Sequence, residues 1–434
     1  MKPALAILGG SPAFVDKVHV GRPNIGDRDR LFGRMQTVLD TRWLSNGGPF
    51  VQEFEKRIAD IVGVKHCIAM CNATVALEIA IRALELTGEV IVPSFTFVAT
   101  AHALQWQEIT PVFCDIDRQT HNIDPEKIEF LITPRTTGIL AVHLWGRPCD
   151  VAALQRIADA HNLKLLFDAA HAFGCRYQGK HIGGFGHAEV FSFHATKFVN
   201  SGEGGAVVTN DDALANRIRL MKNFGFADYD KVVYIGTNGK MNEICAAIGL
   251  TNLESREEFV RTNWANFETY RENLRGIPGL SLLEYRKEDD PNYQYLVLEI
   301  DVSAFGLRRD ELLAVLHAEN ILARRYFYPG VHRMEPYRSH FPHARLLLPQ
   351  TEWLADRILH LPTGTGVTAA DIGKICDLVR SAAEQAGEIQ KALANPELRN
   401  LPNPASIAGP APGDQPRPAS PGSMKPSRGA AFGS

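Results

Sequence analysis

The sequence lacks the cysteine patterns that mark metal or redox sites. Its seven cysteines include no C-x-x-C pair and no cluster with histidine at zinc-binding spacing, so no metal site is predicted. An odd number of cysteines also argues against a complete set of disulfides. We therefore expect a protein of the reducing cytoplasm whose thiols are mostly buried as small apolar side chains.

An excess of charge of one sign and a long apolar run are also missing. The 46 basic residues nearly balance the 49 acidic ones, so no strong field attracts nucleic acid or an anionic membrane. The longest uncharged stretch, residues 90–107, contains polar residues and is shorter than the roughly 20 apolar residues of a membrane span. The apolar start of the chain is interrupted by Gly9, Gly10 and Pro12, which argues against an export signal.

Nucleotide-binding loops and internal repeats are absent as well. The sequence has no G-x-x-x-x-G-K-[ST] segment and no strand-linked G-x-G-x-x-G segment. ATP and NAD are therefore poorly supported as ligands.

What the chain does contain is the alternating pattern of an α/β protein. Its 434 residues are too many for one hydrophobic core, and an apolar content of 45% can fill two or three. From about residue 50 to 250, helical periodicity alternates with short apolar runs, which predicts a mostly parallel sheet covered by helices on both faces. The seven predicted strands are Cys67–Met70, Val90–Val92, Pro111–Cys114, Ile139–His143, Lys164–Phe167, Val190–Phe193 and Ala206–Thr209. The predicted helices are Val51–Ile61, Thr74–Leu86, Ala99–Gln105, Pro125–Ile132, Val151–His161 and Asp212–Met221.

The C-terminal part of the chain predicts a smaller α+β domain. A junction near residues 252–275 is followed by two predicted strands and two predicted helices, and the domain should end near residue 387. The elements are strands Leu280–Leu283 and Tyr293–Glu299 and helices Arg308–Glu319 and Thr351–Leu359. We divide the chain into a large N-terminal domain (1–260), a small domain (261–390) and a tail (391–434). The tail is rich in Pro, Ala and Gly and is predicted to be disordered.

Lys197 and Asp168 are the residues that point to a chemistry. Asp168 ends one predicted strand, and Lys197 lies between another strand and the glycine cluster Gly202-Glu-Gly-Gly205. Taken alone, Asp168 would favour a helix N-cap, and Lys197 an ordinary surface lysine. Together they supply what pyridoxal phosphate (PLP) needs, an amine that forms an imine and an anion beside the pyridinium nitrogen.

The segment Cys71-Asn-Ala-Thr74 opens a predicted helix and is a candidate phosphate site. Backbone N–H groups at a helix start, with the Thr74 hydroxyl, bind anions without a basic residue, although a plain helix cap is equally compatible. Phe95 and Phe97 follow a strand, and either one can belong to the core or stack on a flat ring.

Three further polar residues are candidates with open alternatives. His171 follows Asp168 by three positions and can reach the same ligand, but a structural histidine fits equally well. Ser192 lies near the carboxyl end of a strand, where ligands bind in parallel sheets. For Asn238, in a predicted loop, the structural and functional interpretations are balanced.

Over residues 20–385 the chain resembles the DegT/DnrJ/StrS sugar aminotransferases, which are fold type I PLP enzymes. The matching segments are Trp43-Leu-Ser-Asn-Gly-Gly-Pro49, Pro93-Ser-Phe-Thr-Phe97, Thr133-Pro-Arg-Thr136, Val142-His-Leu-Trp-Gly146, Asp168-Ala-Ala-His171, Ser192-Phe-His-Ala-Thr-Lys197 and Gly202-Glu-Gly-Gly205. The resemblance implies the following site residues: Lys197 holding PLP, Asp168 on the ring nitrogen, His171 beside the ring, Phe97 stacked on it, Ala73, Thr74 and Ser192 on the phosphate, and Asn238 reaching that phosphate from the other subunit of a homodimer.

Within this family the chain shows a closer resemblance to transaminases that form dTDP-4-amino-4,6-dideoxyglucose on the way to desosamine. The similarity includes Val20-Gly-Arg-Pro-Asn24, Thr87-Gly-Glu-Val90, Lys222-Asn-Phe-Gly-Phe226 and Gly236-Thr-Asn-Gly-Lys-Met241. Enzymes that act at C3 tend to have Tyr-Pro before the lysine and Gly-Asp-Gly-Gly after it, whereas His194-Ala-Thr196 and Glu203 favour C4. Gly239-Lys240 departs from the Tyr-Arg of many members.

The resemblance implies transfer of an amino group from L-glutamate to a nucleotide-linked 4-keto-6-deoxy sugar, in an antibiotic pathway. One alternative is transamination at C3 or of another keto sugar or cyclitol. A second alternative is a PLP-fold protein that binds or regulates without turnover. The presence of both Lys197 and Asp168 favours an enzyme over that last class.

Overall fold

A computed structural model describes residues 4–394. Residues 4–390 belong to one compact unit. The predicted tail lies outside the described residues, except for residues 391–394, which complete the last helix. The strands are β1 (Val18–His19), β2 (His66–Met70), β3 (Glu89–Pro93), β4 (Thr110–Cys114), β5 (Thr136–Val142), β6 (Lys164–Asp168), β7 (Arg176–Tyr177), β8 (Lys180–His181), β9 (Ala188–Ser192), β10 (Gly205–Thr209), β11 (Phe226–Asp228), β12 (Lys231–Val232), β13 (Leu280–Leu282), β14 (Leu296–Ile300), β15 (Ile321–Leu322) and β16 (Ile358–Leu361).

The helices alternate with these strands over most of the chain. They are α1 (Arg28–Thr41), α2 (Pro49–Val62), α3 (Ala73–Ala83), α4 (Val98–Gln105), α5 (Pro125–Ile128), α6 (Val151–Ala160), α7 (Asp212–Met221), α8 (Glu243–Glu254), α9 (Arg256–Leu274), α10 (Val302–Phe305), α11 (Arg309–Ala318), α12 (Tyr337–His340), α13 (Pro349–Ala355), α14 (Ala369–Glu384) and α15 (Ala386–Ala394). None of the described helices is long and apolar enough to cross a membrane.

All seven strands predicted in the large domain are present and form one sheet, in the order β2-β10-β9-β6-β5-β3-β4. Only β10 runs antiparallel to its neighbours, so the prediction of a mostly parallel sheet is confirmed. Alternate residues of each strand enter different apolar clusters. Val190 packs on one face of the sheet with α3 and α7, and Phe191 packs on the other with α2 and α8. The sheet is therefore the middle layer of three.

Side-chain caps explain where several of the covering helices begin. Asn72, Asp150, Asp211 and Asn242 each accept a hydrogen bond from a backbone N–H in the first turn of α3, α6, α7 and α8. A cap of this kind satisfies one of the N–H groups that a helix start leaves without a partner.

The C-terminal part differs from the sequence prediction at several points. The predicted junction at 252–275 is mostly the 19-residue helix α9. The predicted helix Thr351–Leu359 is wrong in its second half, because α13 ends at Ala355 and Ile358–Leu361 forms strand β16. The strand predicted to begin at Tyr293 begins at Leu296. Strands β13, β14 and β16 form an antiparallel sheet. The division at residue 260 stays a prediction.

Candidate active site

The predicted site residues lie at the carboxyl ends of the strands in the large sheet. Asp168 is the last residue of β6 and Ser192 the last of β9. Lys197 lies in the loop from β9 to β10, and Ala73 begins α3 just after β2. Because β2, β6 and β9 run in the same direction, their carboxyl ends meet at one edge of the sheet, where ligands bind in α/β proteins.

The Lys197 side chain is half-buried and ends at a tyrosine. Its Nζ donates a hydrogen bond to Tyr295 Oη over 3.1 Å. Burial lowers the pKa of the Lys197 amine to about 8, although the Asp168 carboxylate acts in the opposite direction. A substantial fraction of the amine is therefore neutral near physiological pH, which a nucleophile or a general base requires.

The Asp168 carboxylate is buried and receives two hydrogen bonds. Oδ2 accepts from Thr100 Oγ1 at 2.8 Å, and Oδ1 accepts from the Ala170 N–H at 3.1 Å. Residues 169–175 form turns, so Asp168 does not cap a helix. Burial raises the pKa of Asp168. The hydrogen bonds from Ala170 and Thr100 and the positive charge of Lys197 lower it, but burial has the larger effect. No ion pair to Asp168 is found within residues 4–394. A bound cation would compensate this buried charge.

The His171 imidazole is a neutral ring held against aromatic neighbours. Its Nδ1 accepts a hydrogen bond from the Trp145 N–H at 3.2 Å, so the single proton of the ring lies on Nε2. Burial lowers the pKa of His171 well below its usual value. The ring lies nearly parallel to the Trp145 ring, with centroids 5.7 Å apart.

The predicted phosphate site is built from the start of α3 and the end of β9. Gly205 pairs with Ser192 on one side and with Met70 on the other, just before α3. A Cβ on Gly205 would lie 2.5 Å from the Ala73 nitrogen, so the helix start rests directly on this glycine. The N–H groups of Ala73 and Thr74 have no acceptor among the described residues. The helix start thus offers two donors to an anion.

The structure separates the two candidate aromatic residues. Phe95 is 1% exposed and belongs to the core, with its ring 6.2 Å from that of Trp145. Phe97 is 56% exposed at the start of α4. Phe97 is therefore the phenylalanine that can stack on a ligand.

Asn238 lies on the surface next to the phosphate site of its own chain. It pairs with Asn223 across an isolated bridge, and the next residue, Gly239, accepts a hydrogen bond from the Cys71 N–H at 2.9 Å. Its contact with the phosphate of a second subunit stays a prediction.

These groups fit PLP in type and position. The partly neutral Lys197 amine suits the aldehyde, and the buried Asp168 carboxylate suits the pyridinium nitrogen. The neutral His171 ring suits the ring face, and the open N–H groups at the start of α3 suit the phosphate. Residues 27–380 of the chain match the model of the DegT/DnrJ/EryC1/StrS aminotransferase family. The chain belongs to this family. It is therefore an aminotransferase of the PLP-dependent class, and its fold class is the predicted one.

Relatives of this aminotransferase act on nucleotide-linked sugars. It is 38% identical to the dTDP-4-amino-4,6-dideoxy-D-glucose transaminase of Escherichia coli over 365 residues, which cover 83% of this chain and 98% of that protein. It is 35% identical to the GDP-perosamine synthase of Caulobacter vibrioides over 364 residues, which cover 83% and 96%. A crystal structure of DesI with its TDP-sugar product matches with 49% identity and a TM-score of 0.87, over 90% of this chain and 99% of that one.

Sequence reasoning on the aminotransferase missed Tyr295 and Thr100. Neither has a local signal, because Tyr295 precedes a strand of another sheet and Thr100 lies inside α4. Three residues that follow Tyr295 in the chain have different surroundings. Tyr326 packs near Tyr295, with centroids 6.4 Å apart, whereas Tyr328 lies under Arg309 and Arg325, and His332 is buried between Ser94 and Glu352.

A cavity of about 640 Å³ lies away from the lysine. It lies between the first half of α9 and the loop at residues 287–293, and its lining includes Arg261 and Trp264. None of the predicted site residues lines it.

Proposed function

We propose that this aminotransferase transfers the amino group of L-glutamate to C4 of dTDP-4-keto-6-deoxyglucose, giving the 4-amino-4,6-dideoxy sugar. The observation that carries the proposal is the similarity over nearly the whole length of the E. coli transaminase and of DesI. The proposal also places the enzyme in the cytoplasm, in the synthesis of a deoxyamino sugar for an antibiotic.

The residues that favour C4 in the sequence also contact one another beside the lysine. His194 Nε2 lies 3.7 Å from a Glu203 carboxylate oxygen, and His194 Nδ1 lies 2.9 Å from Thr196 Oγ1. The loop that carries Lys197 is therefore shaped by the same residues that distinguish the C4 enzymes from the C3 enzymes. These residues are therefore neighbours in the folded loop, and the choice of C4 rests on their resemblance to the C4 enzymes.

In this proposal each polar residue has one task. Bound PLP supplies an aldehyde and an electron-accepting ring, which make the proton on the amine-bearing carbon acidic. Lys197 Nζ takes that proton and returns it, as a general base with a pKa near the working pH. Asp168 keeps a positive charge on the ring nitrogen, and His171 and Phe97 hold the ring plane. Ala73, Thr74 and Ser192 bind the phosphate.

A homodimer with shared active sites is part of the proposal. Six apolar or aromatic residues around the β11–β12 hairpin are exposed, and Asn238 follows directly after them; they are Phe224, Phe226, Tyr229, Val232, Val233 and Ile235. An apolar patch of this size typically marks a protein interface. We infer that the hairpin packs on a second subunit and brings Asn238 to the partner's phosphate.

Mixing two inactive variants tests the shared site. A hybrid of one Lys197→Ala subunit and one Asn238→Ala subunit has one intact site if Asn238 acts across the interface. Activity should therefore return after mixing and reassociation. If Asn238 acts within its own chain, no site in the hybrid is intact and no activity returns.

Product analysis tests the reaction itself. The purified enzyme is incubated with dTDP-4-keto-6-deoxyglucose and L-glutamate, and the product is examined by NMR. We expect an amine at C4 and an equivalent amount of 2-oxoglutarate. An amine at C3, or no product, would contradict the proposal. The similarity to GDP-perosamine synthase makes a GDP-linked 4-keto-6-deoxy sugar the second candidate, so it is assayed in parallel.

A further inference from the structure

Tyr295 is the hydrogen-bond partner of the Lys197 amine. Lys197 Nζ donates to Tyr295 Oη at 3.1 Å, and within residues 4–394 no other hydrogen bond of the lysine side chain is found. Tyr295 immediately precedes β14 of the three-stranded sheet, so a different part of the fold supplies it. A residue next to the three-stranded sheet thus contacts Lys197 Nζ, which lies in a loop of the seven-stranded sheet.

The Tyr295 hydroxyl is held in place by the packing of its ring. The ring centroid lies 4.6 Å from that of His171 and 5.2 Å from that of Trp145. Tyr285 Oη also donates a hydrogen bond to the Tyr295 carbonyl at 2.9 Å. Burial raises the pKa of the Tyr295 phenol, so it remains protonated and uncharged at working pH.

The residues just before Tyr295 fix the backbone on both sides of the site. Gln294 Oε1 accepts a hydrogen bond from the Phe198 N–H, directly after the lysine, at 3.0 Å. Asn292 Nδ2 donates to the His171 carbonyl at 2.8 Å. Segment 292–295 therefore connects the lysine loop and the His171 turn, and it sets where Tyr295 Oη meets Lys197 Nζ.

We propose that Tyr295 is a catalytic residue that holds the Lys197 amine whenever the amine is free of the cofactor. The phenol oxygen accepts a hydrogen bond from the ammonium after Lys197 has taken a proton from the amino donor. Once that proton has been returned, the phenol O–H can donate to the lone pair of the neutral amine. Tyr295 itself neither gains nor loses a proton, so the balance of the reaction is unchanged. The inference rests on the role proposed above for Lys197.

Tyr295→Phe tests this role because it removes Oη and keeps the ring. Tyr293→Phe is the matched control: it is the same change on the same segment, its ring packs on Phe267 and Tyr285, and its hydroxyl has no hydrogen bond among the described residues. Thermal unfolding of both variants shows whether each one folds.

The first measurement is the pKa of Lys197 in the full chain without cofactor. The rate of modification by an amine-directed reagent is followed by peptide mass spectrometry as a function of pH. In the wild type the rate should rise about tenfold per pH unit and level off near pH 8, because only the neutral amine reacts. Tyr295→Phe removes an acceptor from the charged form, so the levelling should occur roughly half a unit to one unit lower.

The second measurement is the kinetics of the enzyme loaded with cofactor. Tyr295→Phe should lower kcat by roughly tenfold and change the KM for the sugar by less than about twofold, whereas Tyr293→Phe changes neither. An unshifted lysine pKa with an unchanged kcat would overturn the proposal. If Tyr295→Phe does not fold, 3-fluorotyrosine at position 295 keeps the ring and weakens the acceptor, and the same downward shift is expected. Failure of borohydride to label Lys197 in the wild type would instead overturn the role of the lysine.

Discussion

The seven-stranded sheet and the three-stranded sheet contribute to the active site in different ways. The large sheet places Asp168, Ser192 and the Lys197 loop at its strand ends, so the charged and covalent chemistry depends on its register. The three-stranded sheet adds Tyr295, an uncharged hydroxyl that contacts Lys197. In the proposed mechanism, the large sheet therefore supplies the reacting groups, and the three-stranded sheet adjusts the lysine among them. Substitutions of the charged groups at the ends of the large sheet should therefore have the largest effects.

Lys197→Ala should have the largest effect. Without the amine there is neither a nucleophile nor a carrier for the proton, so kcat should fall by about 10⁴-fold or more. Reduction with borohydride in the presence of PLP should label the peptide that contains Lys197 in the wild type only. Lys180→Ala, on the surface strand β8, is the control and should be fully active. Near-normal turnover of the Lys197 variant would contradict the role proposed for Lys197.

Asp168→Asn should lower kcat by about 10²–10³-fold, because a preorganised charge beside the ring is lost. The same change should stabilise the cofactor-free protein. Burial raises the pKa of Asp168, so the folded state binds this proton more tightly than the unfolded state does, and the ionised carboxylate costs stability above the folded pKa. At pH 7 the gain should be on the order of 1 kcal/mol, measured by denaturant unfolding. If the variant loses both activity and stability, the Asp168 charge is already compensated by the protein in the absence of the cofactor.

Gly205→Ala should weaken cofactor binding and lower the free energy of unfolding by about 1–3 kcal/mol. The added Cβ would lie 2.5 Å from the Ala73 nitrogen and 2.6 Å from the Asn72 carbonyl carbon, so the start of α3 has to move. Gly373→Ala is a matched control, because a Cβ in that part of α14 meets no atom within 4 Å. The control should be neutral or more stable by about 0.5–1 kcal/mol, as expected for alanine in a helix. Equal behaviour of the two variants in PLP titrations would contradict the proposed phosphate site.

Thr100→Val should have the smallest effect. It removes the hydrogen bond to Asp168 Oδ2 and the one shared with Thr96 Oγ1, and it keeps nearly the same shape. We expect a loss of about 1 kcal/mol in cofactor binding, which is roughly a fivefold weaker Kd in an absorbance titration. Thr37→Val, which removes a hydrogen bond on an exposed face of α1, should not change it. A fall in kcat as large as the one expected for Asp168→Asn would mean that the hydroxyl determines the charge of the carboxylate.

The large sheet could be predicted from the sequence because its strands are short apolar runs between amphipathic helices. The helix α9 was not predicted, since two of its buried positions are Asn263 and Asn266, which interrupt the apolar periodicity. Their amides donate to the carbonyls of Asn292 and Gly364, contacts that only the folded chain provides. Similarly, the buried Leu354, Ala355, Ile358 and Leu359 keep a helical spacing, so the sequence does not reveal that α13 ends at Ala355 and β16 begins at Ile358.

The site divides in the same way. Lys197 and Asp168 are detectable because they stand next to strand ends and glycines, where the sequence context is unusual. Tyr295 precedes the strand Leu296–Ile300 by one residue and is indistinguishable from a core tyrosine in sequence. Only the packing of one sheet on the other brings its hydroxyl to the lysine. The residues at the strand ends of the seven-stranded sheet can therefore be recognised from local sequence, but Tyr295 beside the three-stranded sheet cannot.

The hydrogen bond from the Trp145 N–H to His171 Nδ1 has a consequence for behaviour in acid. A second proton on this imidazole would have to displace that N–H, and burial already opposes the charge. The face of the site formed by His171 should therefore keep the same electrostatic character throughout mild acidification. The acid limb of the rate profile should then report Lys197 or Asp168, and not the only histidine among the proposed cofactor ligands.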